Sequence, residues 1–372
     1  MRAAVLHAVG ELAVEDVELD DPMPHEVVVR TAACGVCRSD LHFVDGHYAT
    51  GFPVVPGHEA AGVVEAVGSA VTDVRTGDPV IACMSVFCGR CTHCTEGRPV
   101  LCKSPDVRRG PDDPPRIRLA GEPAVQLYEL GAYAERMLVH ESALVAIRPD
   151  MPLDRAALIG CAVTTGFGAV VNTAKVPAGA TVVVIGCGGV GLSAVNGAAI
   201  VGAERVIAVD VQAAKLEQAL EVGATDVVDA SSVDPVEAVL ELTGGGAGYT
   251  FEALGRRETA EQAFQMLPPG GVATVVGMVP YGQMMEVHAA DLLDEKVLQG
   301  SNMGSNRFRI DMPWYVDLYL EGRLHLDVIA TERIDLGGLA GAFDEMRTGA
   351  TGRSIVTFGQ ADPTVSGPPP VS

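Results

Sequence analysis

Positive charge is scarce in this chain of 372 residues, which sets 26 Lys and Arg against 48 Asp and Glu for a formal net charge of −22. A surplus of that sign repels phosphate backbones and anionic lipid, so nucleic acid and membrane are not expected partners, and the charge serves solubility. Long apolar runs are missing as well. The most apolar stretches, Val182 to Ile185 and Gly271 to Gly277, have the length of buried parallel strands, and no run approaches what a bilayer requires. The opening MRAAVLHAVGELAVED lacks an apolar core and soon turns acidic, unlike a secretory leader. The nine cysteines are too few and too clustered for a secreted disulfide scaffold. No internal repeat is visible. These absences predict a cytoplasmic globular chain.

What is present suits two domains, with 48% hydrophobic residues and 43 glycines. Residues 1–162 carry short alternating runs such as EVVVRTAA and AAGVVEAVGSAV, the texture of a β-rich, turn-dense domain. From 163 to 302 the pattern becomes strand, Gly loop, helix, repeated through TVVVIG, GCGGVGLSAVNGAAIVGA, RVIAVD and VQAAKLEQALEVGA. Such crossovers build a doubly wound parallel sheet, so the fold class is α/β joined to β. Residues 303–361 return to mixed texture, with the amphipathic PWYVDLYLEGRL and the strand-like SIVTF. The simplest architecture inserts a nucleotide domain, 163–302, into a discontinuous domain made of 1–162 and 303–361. The Pro-rich tail, 362–372, reads as disordered.

Cys88, Cys91, Cys94 and Cys102 stand in the segment CGRCTHCTEGRPVLC. Thiols at such short spacings cannot pair as ordinary disulfides without severe strain, but they can enclose one tetrahedral zinc as a structural site. Farther along, Gly186, Gly188, Gly189, Val190 and Gly191 form a G-x-G-x-x-G turn directly after the apolar strand TVVVI. The first glycine permits the tight turn, the second a close approach to pyrophosphate, and the third close helix–strand packing. Asp210 ends the next strand, RVIAVD, where it can accept hydrogen bonds from ribose hydroxyls and would repel a 2′-phosphate. No arginine follows it closely, which favours NAD over NADP. Cys37, His58 and Cys161 supply a third set of metal-ligand types. Cys, His and Cys with a fourth position open is the pattern of a catalytic zinc.

The segments GVCRSDLH, GHEAAGVVEAVG, the four-cysteine lobe, GCAVTTGFG and IGCGGVG together resemble the zinc-dependent medium-chain alcohol dehydrogenase family, in that family's order and nearly its spacing. The resemblance runs from the first strands to Arg353. It implies a GroES-like β-rich catalytic domain, a Rossmann cofactor domain, two zinc ions per chain and NAD. It makes Cys37, His58 and Cys161 the catalytic zinc ligands, with Glu59 able to approach the metal and Asp40 orienting His58. Ser39 and His42 become the proton relay. Arg38 and Arg353 hold the pyrophosphate, Thr165 and Val190 flank the nicotinamide, and Lys215 lies near the adenosine ribose. Met84 and Tyr48 fall at pocket positions suited to a primary alcohol or its aldehyde.

An alternative from the same resemblance is a thiol-adduct formaldehyde dehydrogenase. At the positions that grip the thiol peptide in that branch this chain has Tyr48 and Asp106, with Arg108 and Arg109 nearby for another anionic adduct. The long segment from Cys102 to Cys161 implies a homodimer paired through the nucleotide domains. Cys34, Cys83, Cys187, His47 and His93 receive no role. A non-catalytic binding protein should have lost part of this set, and a zinc-free reductase should lack Cys37, His58 and Cys161.

Overall fold

The computed structural model describes residues 1–349 and 352–359, so the tail read as disordered, 362–372, lies outside the described residues. The alternating pattern of the middle of the chain folds as expected for a doubly wound domain. Six parallel strands run in the order Asp226–Asp229, Arg205–Asp210, Thr181–Ile185, Tyr249–Glu252, Val272–Val275 and Val297–Gly300. Thr181–Ile185 is central because Val182, Val183 and Val184 are β-branched and fully buried, which suits a strand covered on both faces. The strand order reverses beside it, between Arg205–Asp210 and Tyr249–Glu252. Crevices outside the carboxyl ends of strands at such a switch point are where open α/β sheets bind ligands.

The remainder is mostly β. Glu26–Gly35 is the longest strand and pairs antiparallel with Ala60–Val67, Arg136–His140 and Arg353–Thr357. The last of these returns from the far end of the chain, placing Ile355 opposite Gly35 and Val356 opposite Cys34. Arg353 is thereby delivered to the same end of the sheet as Cys37.

One helical segment corrects the reading of apolar runs. Leu153–Thr173 is 21 residues, and its most apolar 18-residue window has a mean hydropathy of 1.5, long and apolar enough to cross a bilayer by length and composition. The short strand-sized runs hid it, because Gly160, Gly166 and Gly168 and three threonines interrupt its apolar residues. Within the fold 83% of its most apolar window is buried. It contains π turns at Ile159–Val163 and Ala169–Ala174, and it runs through position 162, where the domain boundary was drawn.

A charged network ties the segment after the cysteine lobe to the β domain. Glu26 is 3% exposed and accepts from Arg116 Nε at 2.7 Å and Arg109 Nη2 at 2.6 Å. Arg109 also pairs with Asp20, and Arg116 with Glu129 at 3.0 Å. Burial works against the Glu26 charge, but the Arg109 and Arg116 bonds hold its carboxyl below the ordinary 4.5. A depressed folded value means that this stabilisation is complete above the ordinary range and is lost as pH falls through the lower folded value. Glu26→Ala should therefore cost about 3 kcal/mol at neutral pH. Urea titrations from pH 7 downward should show the gap to the native chain closing in acid.

Candidate active site

Cys37 lies two residues past the end of the strand Glu26–Gly35, at the N-cap of the helix Arg38–Val44. His58 lies in the loop between Val54–Val55 and Ala60–Val67. Cys161 sits inside the first π turn of the long apolar helix, where the widened turn shifts its side chain out of ordinary helical register. The fold brings all three together, buried, with their donor atoms within 4.8 Å of one another. The two sulfurs are 3.9 Å apart, and that contact draws the Cys37 thiol well below its ordinary pKa while raising that of Cys161. His58 Nε2 is buried and has no hydrogen-bond partner among the described residues. Its Nδ1 is 3.0 Å from Asp40 Oδ1, which also accepts from Gly57 N at 3.0 Å. Asp40 Oδ2 accepts from Tyr133 Oη at 3.0 Å.

Glu59 and Arg353, assigned to separate roles from the sequence, are paired with each other. Arg353 Nη1 donates to Glu59 Oε2, and both side chains are buried. Burial pushes the Glu59 carboxyl up to about 8 despite the cation. The same guanidinium lies beneath the glycine turn, where a Cβ on Gly189 would stand 2.8 Å from Arg353 Nε. The third glycine of the motif is equally constrained, since a Cβ on Gly191 would fall 1.7 Å from Gly186 O. Glycine at 191 lets the helix Gly189–Ile200 start this close to the sheet, and a side chain at 189 would push on the Arg353 guanidinium.

Between the two domains lies a cleft of about 630 Å³. Cys37, His58 and Cys161 line it, together with Ser39 and His42. Arg38, Thr165, Gly188, Gly189, Val190, Lys215 and Arg353 line it too. Gly186, Gly191, Glu59, Asp40 and Asp210 stand behind this lining. Asp210 is buried and holds the turn in place: its Oδ2 accepts from Cys187 N at 2.8 Å, and its Oδ1 from Val211 N and Gln212 N. The four lobe cysteines form a second cluster, also within 4.8 Å, with Cys91 Sγ 3.5 Å from Cys94 Sγ and 3.8 Å from Cys102 Sγ. All nine cysteines are free of disulfides.

Two family models match the chain, an alcohol dehydrogenase GroES-like domain over residues 23–149 and a zinc-binding dehydrogenase over 189–320. A probable S-(hydroxymethyl)glutathione dehydrogenase 1 of Schizosaccharomyces pombe is 36% identical over 95% of this chain and 96% of its own length. Alcohol dehydrogenase 2 of Zea mays is 35% identical over 95% and 96%. The crystal structure of a benzyl alcohol dehydrogenase from Acinetobacter calcoaceticus superposes with a TM-score of 0.91 at 30% identity, covering 96% of this chain and 99% of that one. The chain belongs to the zinc-dependent medium-chain alcohol dehydrogenase family.

The family implies zinc and a nicotinamide dinucleotide, and the donor sets of this dehydrogenase fit the metal. Zinc–sulfur bonds of about 2.3 Å in a tetrahedron set sulfurs about 3.8 Å apart. The lobe contacts of 3.5 and 3.8 Å and the Cys37–Cys161 contact of 3.9 Å match that spacing. The unpartnered His58 Nε2 completes the Cys–His–Cys set with a nitrogen lone pair that nothing else among the described residues uses.

Several residues differ from their sequence reading. Tyr48 is not part of the cleft lining; its hydroxyl donates to Val279 O at 2.7 Å and its ring lies 5.1 Å from that of Tyr281. It bridges the dehydrogenase's two domains, while Met84 does line the cleft. Tyr128 takes the aromatic place in the lining, 5.2 Å from the His58 ring, and no motif in the sequence marked it. His47 gains a partner, its Nδ1 lying 3.2 Å from His42 Nδ1. Asp106, Arg108 and Arg109 pair with Arg90, Glu129 and Glu26, outside the cleft lining.

Asp40 aligns His58, and outer partners of metal-binding histidines change affinity about 10- to 100-fold. Asp40→Ala should lower zinc retention at the cleft by that factor and leave unchanged any zinc held by Cys88, Cys91, Cys94 and Cys102. Competition with a chromophoric chelator, read as two separate release phases, checks this.

Proposed function

We propose that this chain is an NAD-dependent dehydrogenase that oxidises a primary or secondary alcohol to the aldehyde or ketone and catalyses the reverse reduction. The observation that carries this reading is the meeting, in one interdomain cleft, of the Cys37–His58–Cys161 donor set with the turn Gly188–Val190. Cys37, His58 and Cys161 would hold a catalytic zinc, and Cys88, Cys91, Cys94 and Cys102 a structural one. When bound, the zinc supplies Lewis acidity and the nicotinamide supplies the hydride acceptor. The open end of the helix Gly189–Ile200 and the cations Arg38 and Arg353 favour a pyrophosphate at the turn. Asp210, with no arginine close after it in sequence, supports NAD over NADP.

The protein's own residues account for the proton. Ser39 Oγ lies 3.6 Å from Cys37 Sγ, at the reacting end of the cleft. His42, half-buried, stands between the cleft and His47, which is exposed. No direct hydrogen bond joins Ser39 to His42 among the described residues, so an intermediary hydroxyl or water must bridge them. Met84, Tyr128 and Met303 give the substrate side an apolar wall that keeps water from the reacting carbon.

A second reading, oxidation of a hydroxymethyl-thiol adduct, draws support from the name of the Schizosaccharomyces pombe relative. The residues first considered for gripping such an adduct, Arg108 and Arg109, are committed to Glu129 and Glu26. The exposed edge strand Val297–Gly300 supports a homodimer paired edge to edge through the nucleotide domains. The nine unpaired thiols support a reducing, cytoplasmic location.

Purified protein with NAD or NADP should oxidise aliphatic and aromatic alcohols with NAD preferred. A strict requirement for a low-molecular-weight thiol with formaldehyde would establish the second reading instead. Metal analysis should return two zinc ions per chain, and one in Cys37→Ala, which should be inactive; retained activity would refute the division of sites. Burial, with His47 beside it, lowers the His42 pKa below its ordinary 6.5. The ring therefore remains a neutral proton acceptor until the pH falls below that value. The acid limb of kcat for alcohol oxidation should lie below pH 6.5 in the native enzyme. His42→Gln should lose that limb and about 10²-fold in rate.

A further inference from the structure

A proton taken up by His42 must still reach water, and the way the helix Arg38–Val44 ends supplies a path. Gly46 adopts a left-handed φ of 74°, where a Cβ would also stand 2.9 Å from Val9 Cγ2. Through this residue the chain turns back on the helix. Gly46 N donates to Phe43 O at 3.2 Å, and His47 N donates to His42 O at 2.8 Å. This pair of bonds is the stop that a left-handed glycine gives a helix, and it sets the residue after the glycine beside the residue three before the cap. An apolar contact usually fills that place. Here the two residues are His47 and His42, with their Nδ1 atoms 3.2 Å apart and their ring centroids 5.5 Å apart.

Four other histidines, His7, His25, His58 and His288, each face a carboxylate, from Glu15, Glu141, Asp40 and Asp291. A carboxylate keeps a proton on the ring as an ion pair. His42 and His47 have no acid at ion-pair distance among the described residues, and the acid between them in sequence, Asp45, accepts from Arg347 Nη2 at 2.6 Å. Two imidazoles have closely matched proton affinities, so a proton passes between them at little cost in free energy. One of the pair lines the cleft and the other is exposed. Burial disfavours the cation on His42, while water stabilises a cation on an exposed ring, so the favoured direction is outward.

We infer that His47 is the outlet of the proton path: it takes the proton from His42 and passes it to solvent. This rests on the alcohol dehydrogenase reading and adds to it a residue that acts through His42, without touching substrate. With Nδ1 of His42 turned to His47, Nε2 is the nitrogen left for the cleft. A proton bound at Nε2 makes His42 an imidazolium. Its Nδ1–H bond then breaks as a bond to His47 Nδ1 forms, and His47 loses its Nε2 proton to water or buffer. One proton has crossed from cleft to solvent, both rings are neutral, and they recover their tautomers by exchange with water. The step is redox-neutral.

Stopped-flow mixing of the native holoenzyme, His47→Gln and His47→Ala with NAD and 1-hexanol can follow NADH by absorbance and released protons by a pH indicator in weak buffer. Proton release should slow about tenfold in both variants. Added HEPES should restore it in His47→Ala, where a buffer base reaches His42 directly, and should change the native rate by less than about twofold. Nitrogen NMR of the full chain carrying labelled histidine gives a readout without turnover. The Nδ1 signals of His42 and His47 should both lie between those of a protonated and a bare ring nitrogen, the mark of a proton shared by exchange. Two limiting signals would mean a fixed hydrogen bond and would overturn the inference. A loss in both variants that HEPES does not restore would make His47 a structural cap only, and unchanged proton release would leave it outside the path; each also overturns it. If NADH forms and proton release ignores position 47, the outlet falls and the dehydrogenase stands. If the native protein forms no NADH from any alcohol, the dehydrogenase reading falls and takes the outlet with it.

Discussion

A buried carboxylate with no cation beside it is costly unless hydrogen bonds satisfy it, and Asp40 is satisfied by three donors from two segments of the chain. It takes the Gly57 N–H, the His58 ring and the Tyr133 hydroxyl, all at 3.0 Å. Gly57 and His58 belong to the loop before one strand of the β domain, and Tyr133 precedes another. Asp40 itself is on the helix that starts at Cys37. The carboxylate therefore fixes a cysteine, a histidine and their supporting backbone relative to one another. Tyr133 is fully buried and its hydroxyl also donates to Gly35 O at 3.0 Å, which ties the end of the long strand into the same cluster. The orientation of His58 follows: with Nδ1 held by Asp40, Nε2 is the atom left facing the two thiols.

The second constraint links the metal-type donors to the nucleotide turn. Arg353 touches Glu59, the residue after His58, and simultaneously fills the space under Gly189. A charge on one side of the cleft is thus mechanically continuous with the start of the nucleotide helix on the other. A side chain at 189 would press on that guanidinium. The Tyr48–Val279 hydrogen bond adds a further tie between the domains at the rim. Both contacts restrict how the cleft can widen without breaking a specific bond, in a region where reactants must be held at defined distances.

Charge is distributed against the grain of composition. The acids lie in the surface and in ion pairs such as Glu26 with Arg109 and Arg116, and they are excluded from the cleft lining. The carboxylates nearest the donors, Asp40 and Glu59, are turned into the protein and compensated by donors or by Arg353. The cleft consequently presents cations and backbone N–H groups to whatever enters, although the chain as a whole repels anions.

Much of this was legible in the linear sequence because local chemistry has local signatures. The four-cysteine spacing, the strand–glycine–helix run ending in Asp210, and the pairing of Cys37 with Ser39 and Asp40 each lie within a few residues, where spacing alone constrains geometry. The apolar helix Leu153–Thr173 was missed because its glycines and threonines break the run, although packing removes it from water all the same. Tyr48 and Tyr128 show the other limit. Which of two tyrosines faces the cleft depends on backbone path, and Tyr128 reaches it with a positive φ of 56° that no sequence period encodes. The Arg353–Glu59 contact spans 294 positions and the Cys37–Cys161 contact 124. The sequence by itself determined which atoms can bind metal, phosphate and proton, since that is a property of residue type and short spacing. The tertiary structure alone decided which of them meet, which cations stay unpaired and which carboxylates are hidden, because those depend on distances that only the packed chain sets.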